Sequence, residues 1–146
     1  MIEETRGNIL NSKASMLVNP VNCVGVMGKG LALQFKRAFP DNFRAYFFAC
    51  QRGEVQPGLM HISKEKNGQL IVNFPTKRHW RDRSRMEDIV AGLEDLRGIV
   101  KANSIPTLAL PPIGCGLGGL AWAEVKPLIF SLFSSETVTV QLYEPL

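Results

Sequence analysis

The clearest periodic pattern in the chain is a long amphipathic stretch in its second half. Apolar residues recur there every three or four positions, the spacing of one face of an α-helix. The apolar positions of this stretch are Met86, Ile89, Val90, Leu93, Leu96, Ile99 and Val100. Ser84 precedes the stretch and Glu87 follows Ser84 by three positions, which predicts a capping box at the start of the helix.

Shorter apolar runs predict the other elements. Strands are expected at residues 1–6, 15–19, 59–63, 70–74, 107–110 and 137–143, and further helices at 31–39, 41–50 and 121–133. Asp41 is expected to cap the second of these helices, and Asn67-Gly68 predicts a two-residue hairpin turn between the third and fourth strands. Strands that alternate with helices, plus one hairpin, predict an α/β fold whose mixed sheet is covered by helices on both faces.

Composition narrows the class of protein. A length of 146 residues with 45% hydrophobic content predicts a single domain spanning residues 1–146. The 17 Lys and Arg residues against 13 Asp and Glu give a net charge of +4, which favours an anionic partner. Three widely spaced cysteines predict neither a disulfide framework nor a metal site, and we expect no metal and no cofactor. Because we see no leader and no membrane-length apolar run, we expect a soluble, cytoplasmic protein without membrane association.

Two glycine-rich segments hold equivalent places, each after a buried strand and before a helix. The first contains Gly25, Gly28 and Gly30, and the second contains Gly114, Gly116, Gly118 and Gly119. A helix N-terminus at the carboxyl end of a parallel strand offers free N–H groups to phosphate, so the two segments together could bind a pyrophosphate. Neither segment matches the phosphate loop of ATPases or the dinucleotide fingerprint.

The segment "FPTKRHWRDRSR", residues 74–85, concentrates positive charge. Five basic residues stand against Asp82 alone, with a histidine and Trp80 between them. Cations for phosphates and a ring on which a base can stack are what a single nucleic-acid strand requires, so Arg78, Trp80 and Arg81 are candidate nucleic-acid contacts. A solvated basic face, or a surface that merely steers an anion into a cleft, is the alternative. The solvated face remains our interpretation of Arg83 and Arg85.

Four segments resemble, in order and spacing, the signature segments of macrodomains. They are "RGNIL" from Arg6, "LVNPVN" from Leu17, "GVMGKGLALQFK" from Gly25 and "LPPIGCGLGGLAW" from Leu110. The resemblance is greatest to the branch that contains terminal ADP-ribose protein glycohydrolase and the DarG antitoxins, which remove ADP-ribose from thymine in DNA. It implies a three-layer α/β/α fold with a mixed, mostly parallel six-stranded sheet and ADP-ribose in a cleft between the two glycine-rich segments.

The resemblance also implies roles for individual residues. Asn8 corresponds to an aspartate that binds the adenine amino group, and Asn22 to an asparagine on the distal ribose. Asn19 is a weaker candidate, because a brace for the loop is its simpler interpretation. A turn residue and a loop cap are the corresponding alternatives for Asn8 and Asn22. The remaining implied ligand contacts are Ile9, Gly28, Lys29, Gly30, Leu31, Gly114, Cys115, Gly116, Leu117, Gly118 and Gly119.

Lys77 corresponds to the lysine that acts in glycohydrolysis in that branch. An amine can attack an anomeric carbon only when it is deprotonated, and we expect a nearby cation such as Arg78, with partial burial, to favour that form. The sequence departs from the protein glycohydrolase at Gly118, where that enzyme has an assisting aspartate. No acidic residue lies between Lys101 and Glu124, so no acid partner is assigned to Lys77.

Three hypotheses about function follow. The first is an ADP-ribosyl glycohydrolase acting on ADP-ribosylated thymine in single-stranded DNA, with a cognate DarT-type toxin as a partner and a monomeric state. The second is a phosphatase for ADP-ribose 1''-phosphate or a deacetylase for O-acetyl-ADP-ribose. The third is a non-catalytic ADP-ribose reader. Lys77 favours the first, because a reader needs no ionisable group there and a phosphatase would more naturally use an acid or a histidine.

Overall fold

The structure, a computed structural model, describes all 146 residues and contains one six-stranded sheet. The strands are β1 (Ile2–Thr5), β2 (Met16–Val21), β3 (His61–Lys64), β4 (Leu70–Pro75), β5 (Thr107–Leu110) and β6 (Thr139–Tyr143). The helices are α1 (Gly30–Ala38), α2 (Pro40–Gln51), α3 (Met86–Ala102) and α4 (Trp122–Phe133), with a short 3-10 helix at Ile9–Asn11. The spatial order of the strands is β1-β6-β5-β2-β4-β3.

Every neighbouring pair of strands is parallel except β3 with β4. The predicted α/β fold with a mixed, mostly parallel six-stranded sheet is therefore confirmed. β2 lies in the middle of the sheet, between β5 and β4. This position matters for function, because the carboxyl ends of three adjacent parallel strands then meet at one edge.

Alternating residues of β2 pack into hydrophobic cores on opposite faces of the sheet. Met16 and Val18 belong to the larger core, which includes buried side chains of α3 and α4. Leu17, between them in sequence, packs on the opposite face with Phe35 of α1. This alternation follows from the two-residue period of a strand and produces the three layers of the fold.

The predicted capping box at the start of α3 is wrong. Arg85 is the N-cap residue and provides no side-chain cap. The Ser84 hydroxyl is buried without a hydrogen-bond partner, while the Ser84 N–H donates to the Gly118 carbonyl at 2.9 Å. Ser84 thus ties the start of α3 to the second glycine-rich segment, an interaction that a local sequence pattern does not reveal.

Two further local predictions need correction. Asp41 does not cap α2, because that helix begins one residue earlier at Pro40 with Phe39 as its N-cap. A proline suits the first position of a helix since its missing N–H would have no partner there. The hairpin turn is longer than two residues: the Gly68 N–H donates to the Glu65 carbonyl at 2.9 Å, and Gly68 has φ of +92°. This is a three-residue loop that closes through a left-handed glycine.

No helix combines the length and the apolar composition that a membrane span requires.

Two glycines of α3 provide a matched test of packing. A Cβ on Gly92 would lie 2.5 Å from Cε1 of the buried Phe74, whereas a Cβ on Gly98 would meet nothing within 4 Å. Gly92→Ala should lower the free energy of unfolding by about 1–3 kcal/mol through overpacking. Gly98→Ala should raise it by about 0.5–1 kcal/mol through better helix propensity. Urea unfolding of both variants measures this difference, and equal effects would contradict the packing described for Phe74.

Candidate active site

A cleft of about 710 Å³ opens at the carboxyl edge of the sheet. Three connections surround it: loop 1 (residues 22–29) after β2, the basic segment (residues 76–85) after β4, and loop 2 (residues 111–121) after β5. The parallel pairing of β2 with both neighbours places these connections side by side. The two glycine-rich segments, distant in sequence, are thus walls of one cavity.

Most of the sequence-predicted site residues line this cleft. They are Asn22, Gly28, Lys29, Gly30, Leu31, Lys77, Trp80, Arg81, Gly114, Gly116, Leu117 and Gly118. Lining residues that the sequence analysis did not select include Val26, Thr76, Asp82, Arg83, Pro111 and Pro112. Asn8, Ile9, Asn19, Arg78, Cys115 and Gly119 do not line it.

Loop 1 is built around the side chain of Asn22. The Asn22 Oδ1 accepts hydrogen bonds from the Val24 N–H at 3.0 Å and from the Tyr46 hydroxyl at 2.8 Å, and the Asn22 Nδ2 donates to the Val26 carbonyl at 2.7 Å. Gly25 has φ of +83° at the turn of the loop. These contacts make Asn22 a cap for loop 1, and because Asn22 also lines the cleft, its contact with the distal ribose stays a prediction.

The first turn of α1 faces the cleft. Its N-cap residue, Lys29, makes no side-chain hydrogen bond to the helix, and Gly30 and Leu31 line the cavity. The N–H groups at this helix end have no side-chain acceptor, and they carry the partial positive charge of the helix dipole. This wall of the cleft is suited to an anion such as phosphate.

Loop 2 needs its glycines for two different reasons. Gly114 and Gly119 have φ of +75° and +79°, which side chains rarely adopt. Gly118 instead lacks space, because a Cβ there would overlap the Ser84 hydroxyl and approach the Gly114 carbonyl oxygen to 2.6 Å. A Cβ on Gly116 would meet nothing within 4 Å. Position 118 therefore has no room for a side chain with this loop backbone.

Five predicted ligand contacts do not line the cleft, and three of them, Asn8, Ile9 and Asn19, lie outside the three connections that surround it. Asn8 is the N-cap of the 3-10 helix, and its Oδ1 accepts a hydrogen bond from the Leu10 N–H at 3.0 Å. Ile9 is a core residue that is 3% exposed. Asn19 is fully buried and donates from Nδ2 to the Asn73 Oδ1 at 3.1 Å. The structure thus supports the bracing interpretation of Asn19.

Cys115 faces the interior of the protein. It packs against the larger core, and its Sγ lies 3.4 Å from the Ile113 carbonyl oxygen. Burial raises the pKa of the Cys115 thiol to about 11. At neutral pH the group is therefore the protonated thiol, which is a poor nucleophile.

Within the basic segment, the lysine amine is held by a local contact. The Lys77 Nζ donates to the Trp80 carbonyl at 2.9 Å. The Trp80 side chain is half exposed at the cleft, and the Arg81 guanidinium carbon lies 5.6 Å from the centre of its ring. The amine, the aromatic ring and a cation therefore belong to one short turn on one wall of the cavity.

Two arginines of the basic segment depart from expectation. Arg78 forms a two-pronged pair with the nearly buried carboxylate of Asp88, with both N···O distances at 3.1 Å. Its charge is balanced there, so it neither faces the cleft nor acts on Lys77 as an uncompensated cation. Arg83, interpreted as a solvated cation, lines the cleft and donates from Nη2 to the Gly119 carbonyl at 3.1 Å. Only contacts between distant segments distinguish these two arginines.

The described side chains hold no group of three or more His, Cys, Asp or Glu placed to bind a metal ion. The charged side chains that line the cleft are two lysines, two arginines and one carboxylate, that of Asp82.

The chain belongs to the macrodomain family, whose model matches residues 18–129. It is 50% identical over 99% of its length to a DNA ADP-ribosyl glycohydrolase from Thermus aquaticus, and it spans 41% of that protein. The macrodomain of Mycobacterium tuberculosis DarG superposes with a TM-score of 0.96 at 45% identity, covering 100% of this chain and 99% of that one. Thermosipho africanus DarTG in complex with ADP-ribose superposes with a TM-score of 0.92 at 35% identity, covering 99% of this chain and 42% of that one.

The chain thus spans about two fifths of the length of the curated relatives that it matches. Its similarity to them extends across all elements that form the cleft, since nearly the whole chain aligns. The family assignment and the fold confirm the macrodomain resemblance.

The different environments of Arg78 and Arg81 predict different effects on stability. Arg78→Ala leaves Asp88, with a side chain only 7% exposed, without its cation, and should lower the free energy of unfolding by about 1–2 kcal/mol. Arg81→Ala removes an exposed side chain and should change it by less than about 0.5 kcal/mol. Chemical denaturation distinguishes the two, and a neutral Arg78→Ala variant would contradict the structural role of the pair.

Proposed function

We propose that this macrodomain is an ADP-ribosyl glycohydrolase that removes ADP-ribose from thymine in DNA. The observation that carries the proposal is the position of Lys77, whose amine stands in the cleft between two glycine-rich loops and beside an exposed tryptophan. The 50% identical relative is a DNA ADP-ribosyl glycohydrolase, which supports the same reaction here.

ADP-ribose fits the dimensions and the polarity of the cleft. A volume of about 710 Å³ lies within the usual range for small-molecule sites. In our proposal the pyrophosphate lies between the backbone of loop 2 and the first turn of α1, where N–H groups and the helix dipole favour negative charge. The complex of the DarTG relative with ADP-ribose supports this choice of ligand.

The proposed reaction begins with the Lys77 amine. The distal ribose would bring its anomeric carbon to Nζ, which attacks as the bond to the thymine nitrogen breaks. The electron pair of that bond goes to the thymine nitrogen, which takes the proton released by the amine. The hydrogen bond from Nζ to the Trp80 carbonyl holds the amine in one orientation before the substrate arrives.

The DNA strand would lie along the basic segment. Trp80 offers an exposed ring for base stacking, and Arg81 offers a charge for a flanking phosphate. Arg78, predicted as a third contact, is committed to Asp88 and has no part in this proposal. A DarT-type toxin as the source of the modification is supported by a relative that is a fusion of a DNA ADP-ribosyl transferase with the glycohydrolase.

No structural observation favours the phosphatase, deacetylase or reader alternatives. A reader has no need of an amine fixed in its cleft. One experiment distinguishes these alternatives from the proposed function. It compares ADP-ribosyl-thymine DNA, ADP-ribose 1''-phosphate and O-acetyl-ADP-ribose as substrates, and it also measures the binding of free ADP-ribose.

Lys77→Ala should lower turnover of an ADP-ribosyl-thymine oligonucleotide by at least about a thousandfold, while the affinity for free ADP-ribose changes little. Lys77→Arg should also be inactive, because a guanidinium stays protonated and cannot serve as a nucleophile. Lys66→Ala, at an exposed hairpin position, is the matched control and should behave as the unaltered protein. Equal losses of binding and turnover in Lys77→Ala would make Lys77 a simple anion contact instead.

Ionic strength should separate strand contacts from ligand contacts. If Arg81 binds a flanking phosphate, turnover of the oligonucleotide at low substrate concentration should fall steeply with salt, and binding of free ADP-ribose should fall less. Arg81→Ala should reduce the salt slope by about one counterion without abolishing turnover. Faster release of ADP-ribose from a glutamate-modified protein than from DNA would overturn the assignment of the substrate.

A further inference from the structure

Asp82 is the only acidic residue among those that line the cleft. The other charged lining residues, Lys29, Lys77, Arg81 and Arg83, are all cations. The Asp82 carboxylate nevertheless joins none of the ion pairs of the molecule. Asp82 is held by its backbone, whose N–H donates to the His79 carbonyl at 3.1 Å.

An uncommitted carboxylate in this position opposes the binding of an anionic ligand. Its charge repels a pyrophosphate, and no ion pair within the protein offsets that repulsion. Arg78 and Lys126, in contrast, each have carboxylate partners elsewhere on the surface. Unlike the carboxylates that pair with Arg78 and Lys126, the Asp82 carboxylate is therefore free to act on a bound ligand or on water.

Asp82 and Lys77 belong to one short stretch of the basic segment, and both residues line the cleft. Lys77 reaches forward to the carbonyl of Trp80, and the chain turns back between His79 and Asp82 through the backbone hydrogen bond of that turn. Lys77 and Asp82 thus line the same cavity from one stretch of six residues, 77–82, and no ion pair joins the two side chains. Loop 2 contributes no acidic residue to the lining of the cleft, so Asp82 of this turn supplies its one carboxylate.

We propose that Asp82 is the general base for the water that completes the reaction of Lys77. This inference rests on the proposed function. After thymine has left, the anomeric carbon is bonded to the Lys77 nitrogen. Asp82 takes one proton from water while the water oxygen bonds to that carbon. The carbon–nitrogen bond breaks with its electron pair going to Nζ, which recovers the proton from Asp82, so that one water is consumed and the amine is restored.

If Asp82 is the general base, its replacement should slow turnover of the oligonucleotide without weakening the binding of free ADP-ribose. Asp82→Asn removes a repulsive charge and should bind free ADP-ribose equally well or up to about fivefold more tightly. Its steady turnover of an ADP-ribosyl-thymine oligonucleotide should fall by more than about a hundredfold, the range of a lost general base. Glu94→Gln, an exposed carboxylate of α3 away from the cleft, is the matched control for loss of charge and should leave both unchanged.

Two additional measurements identify the step. Asp82→Asn should release about one equivalent of unmodified oligonucleotide per protein and then stall, with an ADP-ribosyl adduct on Lys77 visible by intact-mass spectrometry. Asp82→Gly should recover part of its turnover when formate is added, because a small carboxylate can occupy the vacated space.

Turnover of Asp82→Asn within about threefold of the unaltered protein would overturn the role of Asp82 and leave the proposed function standing. Loss of activity without a burst or an adduct would overturn the assignment to the water step. Absence of release by the unaltered protein would overturn the proposed function itself, and the role of Asp82 with it.

Discussion

The arrangement of the site depends on the parallel pairing of β2 with β4 on one side and β5 on the other. Parallel strands end at the same edge of a sheet, so this pairing gathers three connections that are far apart in the chain. Loop 1, the basic segment and loop 2 then need only short local contacts to become one cavity. The central position of β2 also buries it on both faces, which makes its register with its neighbours hard to shift.

Tertiary contacts between the connections refine what the sheet brings together. The Ser84 N–H and the Arg83 guanidinium hold the Gly118 and Gly119 carbonyls, so the basic segment and loop 2 form one connected wall. On the opposite wall, Asn22 joins loop 1 to the Tyr46 hydroxyl of α2. The cleft is therefore supported by hydrogen bonds from α2 on one side and from the segment that leads into α3 on the other.

Periodic patterns and glycine positions carried most of the predictable information. The length of α3, the six strands and the two glycine-rich connections follow from local sequence, because helix and strand periods reflect burial directly. The residues that cap a helix or form an ion pair were not predictable in the same way. Serine is a common helix-capping residue, but the Ser84 N–H donates a hydrogen bond to the Gly118 carbonyl instead. Arginine commonly contacts phosphate, but Arg78 forms an ion pair with Asp88. Such outcomes depend on which distant groups the tertiary fold brings into contact. A single sequence does not contain that information.

The crowding at Gly118 limits how this site can diversify. A side chain there would collide with the Ser84 hydroxyl, and it would still face the Gly114 carbonyl if Ser84 were made smaller. A lineage that moved an acidic group into loop 2 would have to alter the loop backbone and the entrance of α3 together. Each change made alone would pass through a poorly packed intermediate, so stepwise mutation is expected to reach such a loop only rarely. Diversification at this cleft should therefore proceed through the exposed turn of the basic segment, where substitutions disturb few neighbours.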